Sequence, residues 1–221
     1  MRLKGVYPEQ LNSSRQTVFL CLVDSSGSMR YFASAMEKAL ERFRDNLLES
    51  PEQDEIIVNI VPFTHYVGNN EFTTPENMPT DFRASGGTAL YDAIVYGRER
   101  LNTYLEELRV QGITAKGIMV VFSDGYDENS TRHTEADARD AIKALQGYDE
   151  GNIVGFVSFG EDAKGIAEEL CVRKENIWNT DAKFENLFKC FEVISKSVAT
   201  VSRRVNFTSK EESGILFYDL L

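Results

Sequence analysis

Histidine, cysteine and tryptophan are scarce: 221 residues hold two, three and one of them. His65 and His133 lack the spacing of an HExxH zinc motif, so each reads as a surface or loop residue. Cys21, Cys171 and Cys190 lie far apart with no CxxC pair, which excludes a disulfide framework and a thiolate metal knot. An odd, sparse count suits a reducing compartment, where such residues are small buried hydrophobes. No apolar run approaches membrane-spanning length, and Met1 to Pro8 lack the apolar centre of a secretory signal. These absences together predict a cytoplasmic protein. Asn12-Ser13-Ser14, Asn129-Ser130-Thr131 and Asn206-Phe207-Thr208 match the glycosylation sequon, which carries no weight without such a signal. Basic residues are few as well: 24 Lys and Arg against 35 Asp and Glu leave a net charge of -11. That balance argues against a nucleic-acid binder, which needs a basic patch. No GxxxxGK[ST] phosphate loop, repeat or low-complexity tract occurs.

What is present is an alternation. Thr17 to Val23, Ile56 to Phe63, Ile118 to Phe122 and Ile153 to Val157 are continuous apolar runs, the pattern of strands buried on both faces. Asn176 to Trp178 adds a short strand. Between them lie amphipathic helices: one over roughly 30–48, ended by Ser50-Pro51, and one opening at Thr88. A third starts at Thr134, an N-cap with Asp137 in its first turn, and a short one runs from Ala163 to Leu170. The last carries the stripe Phe184, Leu187, Phe188, Phe191, Ile194 and Val198, a core-packing face. Pro62 cannot donate to a ladder, which places it at a strand end or on an open side. His65 to Gly68 with Glu71-Phe72 predict a short antiparallel edge strand. The fold class is therefore α/β: a doubly wound, mainly parallel sheet with helices on both faces. Residues 1–15 read as a polar leader, 16–200 as the domain, and 201–221 as a tail outside the alternation. The apolar end Ile215 to Leu221 predicts either folding back onto its own domain or docking of a second chain.

Three loops leave the carboxyl ends of strands carrying hard oxygen donors. They hold Asp24, Ser26 and Ser28; Thr88 after Gly86-Gly87; and Asp124 before Gly125. If the strands ending at Val23 and Phe122 are neighbours, the two aspartates converge at a topological switch point. Five oxygens with two negative charges suit Mg²⁺ or Mn²⁺ that keeps several waters. Taken singly, each residue is explained by local structure. Asp24 and Thr88 read as helix caps and Asp124 as a turn former, and only their joint occurrence points to a metal. Asp92 reads as an exposed first-turn carboxylate, and Asp127 and Glu128 as solvated rim.

Asp24-x-Ser26-x-Ser28, the Thr88 of Gly-Gly-Thr-Ala-Leu-Tyr-Asp, and the Asp124 of Phe-Ser-Asp-Gly resemble the metal-ion-dependent adhesion site of von Willebrand factor A domains. The resemblance covers about residues 16–200. It implies a doubly wound domain with one antiparallel edge strand and a final helix able to shift on binding. It implies hydroxyl ligation by Ser26, Ser28 and Thr88, charge balance from Asp24 and Asp124, and one position open to a carboxylate from a partner protein. The expectation is a non-catalytic, metal-dependent protein-binding module. More narrowly, the chain looks similar to bacterial cytosolic proteins of tellurium-resistance and stress systems, associated with a kinase and a phosphatase. Two other readings stand beside it: a metal-assisted phosphohydrolase using Asp24, and an adaptor subunit for an ATPase in a chelatase-like complex.

Overall fold

The computed structural model describes residues 5–11, 13–52, 55–147, 152–159, 161–180, 184–203 and 216. Strands β1 (Arg15–Asp24), β2 (Ile56–Phe63), β3 (Thr114–Ser123), β4 (Ile153–Phe159) and β5 (Ile177–Thr180) form one sheet. Between and after them run helices α1 (Ala33–Leu48), α2 (Leu90–Val110), α3 (Glu135–Leu145), α4 (Glu161–Glu169) and α5 (Phe184–Arg203). The strand order is β2-β1-β3-β4-β5 and every neighbouring pair is parallel. The chain leaves β1 toward one edge and, after β3, builds toward the other, so the switch point lies between β1 and β3.

The period of two along β1 decides how the core divides. Phe19, Cys21 and Val23 face α1 and α5. Val18, Leu20 and Leu22 face α2, α3 and α4. On the first side, Phe19, Phe43, Phe191 and Phe122 form a chain of ring contacts, the Phe122–Phe191 pair stacked at 4.7 Å. Both faces of the sheet are thus dry, as continuous apolar runs require.

The expected antiparallel edge strand is absent among the described residues. Past β2 the chain returns antiparallel but pairs only at two isolated bridges, Val58 with Thr73 and Phe63 with Val67. Side chains close the gap between them. Asn59 Nδ2 donates to the Asn70 carbonyl at 3.0 Å, and Asn70 Nδ2 donates to the Ile60 carbonyl at 2.5 Å. Pro62 lies on β2, the open edge, as its missing N–H demands.

Helix α5 continues to Arg203, three residues into the segment assigned to the tail. Beyond it Leu216 is described, and there the chain has folded back. Its side chain is fully buried in the α1/α5 core. Its N–H donates to Asn176 Oδ1 at 2.7 Å, and its carbonyl accepts from Ser197 Oγ. The socket exists because residue 155 is glycine: a Cβ there would lie 2.4 Å from Leu216 Cδ2. The rest of the apolar end, 217–221, and residues 204–215 lie outside the described residues. Leu216→Ala is expected to lower stability by about 2–4 kcal/mol, the usual cost of emptying a buried leucine site. Urea unfolding checks this, and Gly155→Ala should be destabilising in the parent yet tolerated in the Leu216→Ala background.

Candidate metal centre

β1 ends in Asp24 because its carboxylate has local partners that no preceding apolar residue needs. Ser26 N–H donates to Asp24 Oδ1 and Ser123 Oγ donates to Asp24 Oδ2, each at 2.8 Å. Asp24 is fully buried. The chain then turns through Gly27 into a 3-10 turn, Ser28–Phe32, which carries Ser28 to the surface. From β3, Asp124 meets it: Ser28 Oγ donates to Asp124 Oδ1 at 3.0 Å. Ser26 Oγ lies 2.9 Å from Ser28 Oγ. With the Ser28 proton given to Asp124, Ser26 is the donor in that pair.

The third loop is set by close approach. Gly86 adopts φ +80, a conformation open to glycine, beneath the His65 ring. Gly87 N–H donates to His65 Nδ1 at 3.2 Å. A Cβ on Gly87 would lie 1.8 Å from Asn129 Oδ1, which accepts instead from Thr88 N–H at 2.9 Å. Gly27 N–H donates to the Gly86 carbonyl, tying the first loop to the third.

Ser26, Ser28, Thr88 and Asp124 thereby line one open hollow of about 390 Å³, with Gly27, Gly86, Gly87, Gly125, Tyr126 and Glu128. Asp24 stands behind Ser26 rather than in the wall. Of the five residues singled out in the sequence, four meet at the hollow and the fifth contributes buried charge. Burial pushes the Asp24 carboxyl from its ordinary 3.8 up to about 6, against the lowering effect of its bonds to Ser26 and Ser123. Burial also raises the Asp124 carboxyl, partly offset by Ser28, and Glu128 raises it further.

These residues fit a hard divalent cation. Thr88 is 5% exposed and lines the hollow beside Ser26 and Ser28. The protons of Ser26 and Ser28 are directed along the chain to Asp124, which leaves hydroxyl lone pairs for a cation. Two carboxylates held above their ordinary range by burial gain from a positive charge beside them. No three carboxylate, imidazole or thiol side chains converge among the described residues, so a metal here would rest on hydroxyls as well as carboxylate.

Two expectations for nearby acids are overturned. Asp92 is buried, not exposed, and accepts from the backbone N–H groups of Thr131, Arg132 and His133 at 2.8–3.2 Å. His133 Nδ1–H donates to the same carboxylate at 3.0 Å. Asp127 caps α2 rather than sitting free: Tyr91 N–H donates to it at 3.1 Å, and Ser130 donates from N–H and Oγ. His65, exposed, and His133, half-buried, lie in loops as expected, and both line a second hollow beside Asn129. Ser123, Asn129 and Ser130 were not read as site residues. The last two carry no sequence mark beyond the sequon, and no local pattern marks a serine that will meet a carboxylate from another strand.

No protein-family model and no curated protein sequence matches the chain. Solved structures do. The pilus adhesin SpaC from Lactobacillus rhamnosus GG, in its open conformation, matches 86% of this chain and 30% of its own, at TM-score 0.67 and 15% identity. The vWF domain of a type V pili tip protein from Porphyromonas gingivalis matches 87% of this chain and 98% of its own, at 0.65 and 11%. The manganese-loaded TRAP protein of Plasmodium vivax matches 80% and 74%, at 0.50 and 15%. The chain thus spans under a third of the adhesin's length. At these identities the likeness is one of fold, and the fold is the von Willebrand factor A type. Similar structures being pilus proteins overturns the cytoplasmic expectation. Cys21 and Cys190 are fully buried and burial pushes both thiols far up, so their unpaired state reports nothing about the compartment.

Proposed function

We propose that the protein is a non-catalytic binding module whose carboxyl sheet edge holds one Mg²⁺ or Mn²⁺ and, through it, an Asp or Glu carboxylate of a partner protein. The observation that carries this reading is the convergence of Ser26, Ser28, Thr88 and Asp124 on one hollow. Ser26, Ser28 and Thr88 would offer hydroxyl oxygens, Asp124 a carboxylate oxygen, and Asp24 buried charge behind them. A cation so held supplies a Lewis-acid bridge to an anionic oxygen. The adhesive and metal-loaded proteins of like fold support a binding role.

The phosphohydrolase reading is disfavoured by geometry. A nucleophilic Asp24 needs an oxygen facing the hollow, but both of its oxygens are held by protein donors and the residue is fully buried. Among the described residues, no lysine or arginine lines the hollow to clamp a phosphate. An ATPase subunit remains admissible as the partner that presents the carboxylate. The narrower kinship with tellurium-resistance proteins, and a kinase or phosphatase partner, has only domain size behind it and forms no part of the proposal.

Calorimetry with Mn²⁺ tests the site. One cation per chain is expected, with affinity reduced about 10–100-fold in Thr88→Ala and Asp124→Ala. Equal affinity in parent and variants would overturn the assignment.

A further inference from the structure

The hollow is more acidic than a cation needs. Asp24 and Asp124 would balance a divalent charge, but Glu128 also lines the wall and, among the described residues, no basic side chain does. A partner carboxylate entering on the cation would add a second uncompensated negative charge beside Glu128. Position makes this specific. Glu128 N–H donates to the Thr88 carbonyl at 2.9 Å, so its backbone is fixed to another residue that lines the hollow. Its side chain is exposed, and its field already reaches Asp124. Tyr126, two residues away and 56% exposed, lines the same hollow. An exposed carboxylate and an exposed tyrosine lining one hollow suit a cationic side chain, whose alkyl stem can lie on the ring and whose head can pair with the acid.

We propose that the partner's coordinating carboxylate is accompanied by a lysine or arginine that pairs with Glu128 across the face of Tyr126. The site then reads an acidic and a basic side chain together rather than an acidic one alone. This rests on the cation reading above and adds the charge of the partner's neighbouring residue. A partner with flanking acids is rejected by Glu128, and one with neutral flanks binds more weakly.

Two synthetic peptides are the probes: one aspartate flanked on each side by lysine, and the same peptide with serine in place of lysine. Each is titrated into the whole chain at saturating Mn²⁺, the saturating concentration being set by calorimetry for each variant. The lysine peptide should bind the parent about 2–5-fold tighter, in line with one charge pair at a partly exposed site. Glu128→Gln should abolish that difference, Glu128→Lys should reverse it, and Tyr126→Ala should reduce it. Equal affinity for both peptides, no binding of either at millimolar concentration, or a preference that survives Glu128→Gln each overturns the proposal. Absence of Mn²⁺ binding in the calorimetry sinks the cation reading itself, whereas Mn²⁺ binding without peptide discrimination sinks this inference alone.

Discussion

Asp92→Ala is expected to destabilise the protein by about 3–5 kcal/mol, a large share of the 5–15 kcal/mol typical of a domain. The carboxylate is the common acceptor for three consecutive backbone N–H groups and the His133 ring. Removing it leaves those donors facing a cavity, and each buried orphan costs about 1–3 kcal/mol before relaxation. Asp92→Asn keeps the shape and one acceptor oxygen but loses the charge, and should cost less. The pH dependence carries the same signature. Burial alone would raise this carboxyl, yet the bonds from Thr131, His133 and Arg132 hold it below its ordinary 3.8. A carboxyl depressed in the folded state contributes stability that is present above its unfolded value and lost as pH falls through the folded one. The parent should therefore weaken below about pH 4 more steeply than Asp92→Asn. Guanidinium unfolding at pH 3 and pH 6 measures it, and parallel acid limbs would refute the account.

Asp24→Asn is expected to act in the opposite direction. Asparagine can accept from Ser26 N–H and meet the Ser123 hydroxyl, so the packing survives while the buried charge goes. In the parent without cation, folded Asp24 holds its proton up to about pH 6, whereas the unfolded chain releases it near 3.8. The folded state binds more protons across that window, so cation-free stability falls as pH rises through it and is level above. In chelator at pH 8, Asp24→Asn should be more stable than the parent by about 2–3 kcal/mol, the equivalent of that rise. Its stability should also be flat between pH 4 and 6 apart from other groups. In saturating Mn²⁺ the ranking should invert, because the parent gains stability by binding and the variant does not. A variant less stable than the parent in chelator would remove the electrostatic argument for the site.

These two aspartates mark where sequence reading succeeds and where it stops. Asp24 follows a strand whose continuous apolar run is visible by eye, and the run predicted as Thr17 to Val23 became Arg15–Asp24. Thr134 was legible as a cap because its capping box with Asp137 spans one helical turn. Asp92 was misread because its partners lie 39 to 41 residues along the chain, and a first-turn carboxylate has the same local pattern whether free or buried. Asp127 failed for the same reason, its Tyr91 partner being 36 residues distant. The predicted edge strand had sound apolar content, but Asn59 and Asn70 meet the backbone with side-chain amides where a ladder would have used main chain. The candidate cation residues could be read because each sits at a strand end. Glu128 and Tyr126 lacked that mark, being placed by the loop's course alone.

The bonds that join the start of α2 to the loop after β3 have a further consequence for motion. Asn129, Asp127 and Ser130 accept from the N–H groups of Thr88, Tyr91 and Asp92, while Asp92 returns the bond to residues 131–133. The Thr88 carbonyl accepts from Glu128 and Asn129 as well. Neither segment can open without releasing the other, so amide hydrogen exchange at both should report a single cooperative unit with one opening free energy. β1 is paired on both sides along most of its length and should exchange last, only on global unfolding. Local opening would then carry Thr88 and Glu128 away together and leave Asp24 and Ser26 behind.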